Sequence, residues 1–233
     1  MNPSGLSNAL LASLDVSDWS KWEPYFERIE LKHRQELLRP DDRLEYLWFP
    51  EGGVQSQVIE SLEGGSVEVA IVGSEGVVGL PGIFGVRHMA TRTIAQLETT
   101  AMRIRLDDFS KHLQRDHPLL RRLESYAAAT LGSLSQIAGC NRLHSPEQRL
   151  CRWLLMVRNR VHADTLPMTH EFLSLMLGTR RASVTEVAQT LQKRRLINYE
   201  RGSLEFLDVS GLEQCACECY EIINGIYSNA GIL

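Results

Sequence analysis

Arg180 and Arg181 stand at the start of a short helical pattern, where folding alone does not favour positive charge. Cations oppose the macrodipole at a helix N-terminus. Guanidinium groups in that position can instead bind DNA phosphates or donate paired hydrogen bonds to a guanine edge in the major groove. The two arginines therefore indicate a nucleic-acid surface. The alternative is a short helical hairpin with solvated arginines.

The residues around these arginines have the pattern of two short helices joined by a tight turn. Thr169 and Thr179 can cap the two helices, and Gly178 stands where the first helix ends and a positive φ is needed. Apolar residues recur at helical spacing in both segments: Phe172, Leu175 and Met176, then Val184, Val187, Ala188 and Leu191. The pattern predicts a helix-turn-helix whose second helix covers residues 180–192.

A strand hairpin is predicted directly after the second helix. Leu204 and Phe206 alternate with Ser203 and Glu205, which is typical of a half-buried strand. The Gly202 turn connects this strand to the preceding one. A helix-turn-helix followed by a hairpin is a winged helix. A solvated hairpin with no partner is the alternative.

Positive charge is concentrated in the same part of the chain. The whole chain has a formal net charge of −4, but residues 142–202 hold 11 Lys and Arg against 5 Asp and Glu. Residues 203–233 hold no Lys or Arg. A cationic segment that coincides with a helix-turn-helix favours phosphate binding and steers association with DNA.

The N-terminal half has a different pattern. Residues 6–28 have the apolar spacing of a helix, and residues 107–117 are predicted as a short helix. Between them, alternating runs separated by glycine and proline predict a small antiparallel barrel or roll. The predicted strands are Leu44–Phe49, Val54–Ile59, Val67–Val72, Thr91–Leu97 and Ala101–Leu106.

A long helix is predicted from Pro118 to Asn141, and a new helix begins at Ser145-Pro146. The apolar residues of the long helix recur in heptads, which predicts a coiled-coil contact between two copies. The predicted seam consists of Leu120, Leu123, Ala127, Thr130, Leu134 and Ile137. Packing of this helix on its own domain is the alternative.

The five cysteines lie at positions 140, 151, 215, 217 and 219. An odd number in one part of the chain fits reduced cytosolic thiols better than a disulfide framework. On one continuous helix, Cys217 would point away from Cys215 and Cys219, so no metal site is predicted and a structural role is expected. A thiol sensor is the alternative.

Because no long apolar run or signal-peptide pattern is visible, we expect a cytoplasmic protein without a membrane span.

A helix, a β-roll, a long heptad helix and a winged helix, in this order, resemble the Crp/Fnr family of bacterial transcription regulators. The most specific residues are Phe172-Leu173 through Gly178, Arg180-Arg181 to Val184, and Leu196-Ile197 before the wing. The resemblance implies an α+β fold: a double-stranded, jelly-roll-like and cyclic-nucleotide-binding-like β-roll (1–117), a dimerisation helix (118–143) and a winged helix-turn-helix domain (144–233). It also implies a homodimer on a two-fold symmetric DNA operator, with RNA polymerase as a further partner.

The same resemblance suggests roles for single residues in DNA binding. The family's base-reading arginine falls on Arg181, whereas Ala182 and Glu186 depart from the residues usual at their positions, so an atypical operator is expected. Arg180 and Ser183 suit phosphates, and Thr185 suits a base edge or methyl group. The remaining predicted DNA contacts are Thr169, Thr179 and Arg201.

The effector cannot be assigned in the same way. Cyclic-nucleotide binders of the family carry a Gly-Glu-Leu segment followed by an Arg-Ser/Thr pair. Here the first segment reads Gly79-Leu80-Pro81, and only a three-residue shift brings Arg92-Thr93 onto the pair. The candidate effector contacts are Gly79, Arg87, Arg92 and Thr93, and cyclic AMP is not the expected effector. No cofactor is predicted, because no cysteine precedes Cys140 for an iron-sulfur cluster and His33 and His88 are lone histidines.

These observations favour a homodimeric, sequence-specific DNA-binding regulator. Its β-roll would sense an unidentified effector or leave the dimer constitutively active. The alternative is a β-roll ligand-binding or signalling module without specific DNA binding. An enzyme is not expected, because the sequence has no nucleophile elbow, metal-ligand spacing or paired catalytic carboxylates in a recognised context.

Overall fold

The chain has a β-rich N-terminal part, a long central helix and a helical C-terminal part with a small sheet. The computed structural model describes residues 5–232. This mixed architecture confirms the predicted α+β class. Within the described residues, none of the helices is both long and apolar enough to cross a membrane.

Seven strands of the N-terminal part form two antiparallel sheets, with the orders β1-β7-β3 and β2-β6-β4-β5. The strands are β1 (Phe26–Leu31), β2 (Glu36–Leu38), β3 (Tyr46–Pro50), β4 (Gln55–Glu60), β5 (Ser66–Val72), β6 (Arg92–Ala95) and β7 (Thr99–Arg105). Leu47, Phe49 and Ile104 are fully buried members of the core. The five predicted strands are present with small shifts of their ends. The sequence pattern missed β1 and β2.

The prediction of one helix over residues 6–28 is wrong. The segment folds as α1 (Ala9–Ala12), α2 (Val16–Trp22) and a 3₁₀ turn before β1. Asp15 starts the second helix, because its carboxylate accepts a hydrogen bond from the Asp18 amide at 2.7 Å. The two short helices still bury Leu10, Leu11, Trp19 and Trp22, whereas Leu14 is buried between them and Phe26 lies half-buried in β1.

Seven more α-helices and three strands complete the described part of the chain. They are α3 (Leu106–His112), α4 (Pro118–Leu143), α5 (Pro146–Val161), β8 (Thr165–Pro167), α6 (His170–Leu177), α7 (Arg181–Lys193), β9 (Ile197–Glu200), β10 (Ser203–Phe206), α8 (Val209–Cys215) and α9 (Cys219–Asn229). A capping box between Ser145 and Gln148 starts α5 directly after α4. Helix α9 returns to pack on α4, where Gly132 lets Ile226 approach closely.

Two buried polar contacts join α5 to the β-roll. Arg160 Nε donates to Glu75 Oε1 at 2.8 Å, and both side chains are only 4% exposed. Trp153 Nε1 donates to Glu68 Oε1 at 2.5 Å, while Gln96 Nε2 donates to the other carboxylate oxygen at 3.0 Å. Together these contacts hold the C-terminal part in a defined orientation against the sheet that contains β4 and β5.

The Glu68 carboxyl is predicted to make folding stability depend on pH. Burial raises its pKa to about 7, although hydrogen bonds from Ser56 and Trp153 and the charges of Arg152 and Arg160 lower it. An acid whose pKa is raised on folding stabilises the fold while it is protonated. This contribution is complete below the ordinary pKa of 4.5 and is lost as the pH rises through about 7.

We expect Glu68→Gln, which resembles the protonated carboxyl, to remove this pH dependence. Between about pH 5 and pH 8 the wild type should lose about 2.5 kcal/mol of unfolding free energy relative to the variant. Denaturant unfolding at both pH values measures the difference, and exposed Glu98→Gln is the control. Equal pH slopes in wild type and Glu68→Gln would contradict the prediction.

Candidate nucleic-acid interface

The turn between α6 and α7 is built from glycine and backbone hydrogen bonds. Thr169 caps α6 by accepting a hydrogen bond from the Phe172 amide at 3.1 Å, and Gly178 has φ +56°. The amide of Thr179 still bonds to α6, at 3.1 Å from the Ser174 carbonyl oxygen. The N-cap of α7 is therefore Arg180, which corrects the prediction that Thr179 caps this helix.

Helix α7 buries one face and presents the other to solvent. Val184, Ala188 and Leu191 are buried, which confirms the predicted apolar stripe. Arg181 and Glu186 are exposed, whereas Ser183 and Thr185 are half-buried. The exposed face also includes Ala182, Gln189 and Lys193. Gln189 was missed by the sequence analysis, although its place two turns after Arg181 on the polar side of the helix could have identified it.

The hydroxyl of Thr185 is already engaged within the protein. It donates to the Arg181 carbonyl oxygen at 3.0 Å and lies 3.1 Å from His170 Nδ1. The His170 ring stacks on Tyr199 with centroids 4.3 Å apart, and the Tyr199 hydroxyl donates to the Met168 carbonyl oxygen at 2.8 Å. His170 and Tyr199 therefore position the first turns of α7 against the wing.

Burial, together with the nearby charge of Arg181, lowers the pKa of His170. The imidazole is therefore neutral near pH 7, and it adds no positive charge to the exposed face of α7. Since the Thr185 hydroxyl donates its proton to the Arg181 carbonyl oxygen, the neutral ring donates from its Nδ1–H to Thr185 Oγ1.

The predicted wing is present as a sheet with the order β8-β10-β9. Arg201 and Gly202 form its tip with φ values of +50° and +81°. Both positions lie in the left-handed region that two-residue hairpin turns require. The Arg201 side chain is 92% exposed at this tip. Strand β8, which pairs with β10, was not predicted.

The structure divides the basic segment 142–202 into buried and exposed cations. Arg152 and Arg160 are buried, the latter against Glu75. Arg158 pairs with Asp164 at 2.8 Å and Arg194 with Glu147 at 2.9 Å. Arg180, Arg181 and Lys193 are exposed, and none of them has an ion-pair partner among residues 5–232. The available positive charge is therefore concentrated on and beside α7.

A cleft of about 730 Å³ lies between the β-roll and α4. Its lining is mostly apolar, with the polar side chains of Gln57, His88, Thr91 and Asn141, and it contains no Arg or Lys from the described chain. The candidate effector contacts Gly79, Arg87, Arg92 and Thr93 do not line it. The structure therefore does not gather these four residues at this cleft.

Both candidate arginines are held by carboxylates elsewhere on the β-roll. Arg92 contacts Glu36 at 3.2 Å and Glu60 at 2.7 Å, and Arg87 contacts Asp107 at 3.0 Å. Thr93 is fully buried in β6. Gly79 serves the backbone, since its φ of +90° starts the 3₁₀ turn Leu80–Phe84.

Two of the six residues of the predicted dimer seam lie inside the protomer. Leu123 and Ile137 are 0% and 8% exposed in the chain's own core, so their prediction as intermolecular contacts is wrong. Leu120, Ala127, Thr130 and Leu134 are half-buried. The exposed stripe of α4 instead centres on Leu131, which is 68% exposed, with Ala128, Ser135 and Ala138 beside it. The heptad pattern was present, but the helix is rotated toward its own β-roll.

The assumption that residues 215–219 form one helix is also wrong. Ala216 is extended, with ψ 155°, and ends α8, whereas Cys219 begins α9. Cys217 lies in the break and turns toward Cys140 of α4, while Cys215 remains on the side of Arg194. All five cysteines are free thiols.

The C-terminal part matches a known family of domains in sequence. Residues 148–215 match the Crp-like helix-turn-helix domain. No curated protein matches the chain significantly in sequence.

Solved structures match most of the architecture. FixK2 from Bradyrhizobium japonicum has a TM-score of 0.70 at 15% identity, covering 82% of this chain and 98% of its own. CLP from Xanthomonas campestris, a c-di-GMP-responsive global regulator, has a TM-score of 0.69 at 17% identity, covering 82% of this chain and 99% of its own. TTHB099, a CRP-family transcriptional regulator from Thermus thermophilus, has a TM-score of 0.70 at 17% identity, covering 81% of this chain and 96% of its own. The fold is therefore that of Crp/Fnr-type regulators, with a helix-turn-helix domain of the Crp type.

The lining of the cleft between the β-roll and α4 predicts that this cleft does not bind cyclic nucleotides tightly. A buried cyclic phosphate without a paired guanidinium is an uncompensated charge. We expect calorimetry with cyclic AMP and cyclic GMP to detect no micromolar binding, either to the wild type or to Arg92→Ala. Micromolar binding that Arg92→Ala abolishes would instead place the nucleotide at that arginine.

Proposed function

We propose that this chain is a transcription regulator that binds a specific DNA sequence as a homodimer, with α7 in the major groove. The observation that carries the proposal is the pair of exposed arginines at the start of α7, which lack carboxylate partners in the described chain. A helix N-terminus does not favour two such cations for stability. A DNA edge and its phosphates supply the missing partners.

In this proposal the residues of the interface have distinct roles. Arg181 reads a base, and Gln189 lies on the same exposed face and supplies amide groups for a second base edge. Arg180 and Arg201 contact phosphates on either side of the groove, with support from Ser183, Thr169 and Thr179. Since the Thr185 hydroxyl is engaged with His170 and Arg181, its methyl group remains for a thymine contact. The Glu186 carboxylate accepts a hydrogen bond from the amino group of cytosine or excludes other bases.

The dimer would form through the exposed stripe of α4. Leu131, with the small residues Ala128, Ser135 and Ala138, provides an apolar surface on which a second copy of the helix can pack closely. Two-fold symmetry then sets the recognition helices about 34–36 Å apart, one turn of DNA. The half-buried Leu120, Ala127 and Leu134 flank this stripe.

The cleft between the β-roll and α4 is the proposed effector site. Its apolar lining suits a small ligand of low charge rather than a cyclic nucleotide. A constitutively active dimer without an effector is the competing possibility. In either case we propose a non-enzymatic protein that acts in the cytoplasm together with RNA polymerase.

Arg181→Ala is expected to weaken binding to the specific operator by about 1–3 kcal/mol and to relax the preference at one base position. Arg180→Ala should weaken binding to all sequences more evenly, because a phosphate contact carries no sequence information. Operator selection followed by titration at fixed salt measures both effects. Exposed Arg121→Ala on α4 is the control, since it keeps the change in charge but lies outside α7.

Unchanged operator affinity and base preference in Arg181→Ala would remove this residue from base readout. Failure of the wild type to select any sequence would instead favour a β-roll signalling module without specific DNA binding.

Leu131→Glu is expected to convert the dimer into monomers, because it places like charges opposite each other in an apolar contact. Light scattering at micromolar concentration should show the change, and binding to a palindrome should weaken strongly. Leu62→Glu, at a fully exposed turn of the β-roll, is the matched control. A wild-type monomer that binds a palindrome tightly would contradict the proposed assembly.

A further inference from the structure

Four side chains with metal-binding atoms meet where α4 ends and α9 begins. Cys140 and His144 lie one turn apart at the end of α4, while Cys217 and Cys219 flank the turn between α8 and α9. Their ligand atoms all lie within 4.8 Å of one another. The three cysteines are at most 3% exposed and form a small cluster of their own, separate from the main apolar core. Residues far apart in sequence thus converge on one point.

The spacing of these atoms fits a single tetrahedral ion. Zn²⁺ binds thiolate sulfur at about 2.3 Å and imidazole nitrogen at about 2.0–2.1 Å, so tetrahedral neighbours lie about 3.8 Å apart for two sulfurs and about 3.6 Å apart for sulfur and nitrogen. Cys140 Sγ and Cys217 Sγ are 3.5 Å apart, and Cys219 Sγ lies 3.6 Å from His144 Nδ1. A cluster of several irons would need its cysteines farther apart, because the irons separate the ligands.

The surrounding polar groups also suit a metal site. The other ring nitrogen of His144, Nε2, lies 3.2 Å from Glu218 Oε1. A carboxylate in this position fixes the imidazole with Nδ1 free to bind a metal. Gln136 Nε2 donates to Cys219 Sγ at 3.1 Å, and an amide donor of this kind stabilises a thiolate. Packing of small apolar side chains accounts for neither the histidine orientation nor these two contacts.

The charge of an occupied site would be nearly balanced. Three thiolates, a neutral imidazole and Zn²⁺ leave a net charge of −1, after the three thiol protons have passed to solvent. Arg149 lies near Cys140 and Cys217 and provides a compensating cation. Its Nη2 also donates to the Leu177 carbonyl oxygen at the end of α6. The site therefore contacts the helix-turn-helix through one side chain.

We propose that Cys140, His144, Cys217 and Cys219 bind one Zn²⁺ ion in a Cys₃His site that ties the end of α4 to the start of α9. The ion links residues on both sides of the boundary between α4 and α5 at His144–Ser145. The sequence predicts that this boundary is the hinge between the two parts of the chain. This role is independent of DNA recognition by α7, since it concerns how the last helix is held against the long helix.

Metal analysis of the reduced protein, purified without chelator or added metal, tests the proposal. We expect about one zinc per chain in the wild type and in Cys215→Ser, and little in Cys217→Ser and His144→Ala. Cys215→Ser is the matched control, because its thiol lies two residues from Cys217 but contacts Arg194 instead of the cluster. After zinc removal, Co²⁺ added to the wild type and to Cys215→Ser should give the visible absorption of tetrahedral cobalt with a thiolate charge-transfer band.

Glu218→Gln keeps all four ligands and tests the site even if a ligand variant fails to fold. We expect its zinc affinity to fall about 10–100-fold, as for other partners of metal-bound histidines. Zinc should also raise the melting temperature of the apo wild type, because binding stabilises the folded state.

Four results would overturn the proposal. The first is the absence of both zinc and a cobalt spectrum in the reduced wild type. The second is zinc retained equally in Cys217→Ser, and the third is iron-sulfur absorption in place of zinc. A disulfide between Cys140 and Cys217 in protein isolated under mild conditions, without bound metal, would also overturn it in favour of a redox pair.

Discussion

The buried ion pair between Arg160 and Glu75 determines how the two halves of the chain are oriented. Glu75 also accepts a hydrogen bond from the Gly73 amide at 3.1 Å, and Arg160 donates to the Met156 carbonyl oxygen at 3.0 Å. Removing one partner of such a pair leaves an uncompensated buried charge, which typically costs about 3–5 kcal/mol. The pair adds little net stability, because the cost of desolvating both charges offsets their attraction. It nevertheless leaves few alternative orientations for α5.

The turn that holds Glu75 is shaped by glycine for this purpose. A Cβ atom on Gly73 would lie 2.9 Å from the Arg160 side chain, and one on Gly76 would overlap the Tyr126 ring of α4. Both glycines therefore let α4 and α5 approach the β-roll closely. Glu68 and Trp153 extend the same junction along α5, so the orientation of the helix-turn-helix depends on a set of buried polar groups in two adjacent segments of the roll.

This junction also explains why total charge describes the helix-turn-helix part poorly. The sequence places 11 cations in residues 142–202, but Arg152 and Arg160 serve the junction instead of the surface.

The local patterns were predictable: the apolar stripe of α7, the Gly178 turn and the Arg201-Gly202 hairpin depend on neighbouring residues. The face that α4 buries was not predictable, because the heptad pattern places Leu123 in the seam and leaves Leu131 out, whereas packing in the folded chain buries Leu123 and exposes Leu131. The convergence of Cys140 and Cys217 could not be predicted from the sequence either. It depends on the end of α8 at Ala216 and on the packing of α9 against α4.

The helix-turn-helix is thus held at two places. The Glu75–Arg160 pair fixes the far end of α5 to the β-roll, and the cysteine–histidine cluster lies at the near end, beside the hinge. A ligand in the cleft along α4 can change DNA binding only if it binds one arrangement of these contacts more tightly than another. Ile137 and Asn141 line that cleft and lie within one turn of Cys140, so they belong to the same segment of α4 as the hinge. A physical route from the proposed effector site to α7 therefore runs through the last turns of α4, and from there through Arg149 to the end of α6.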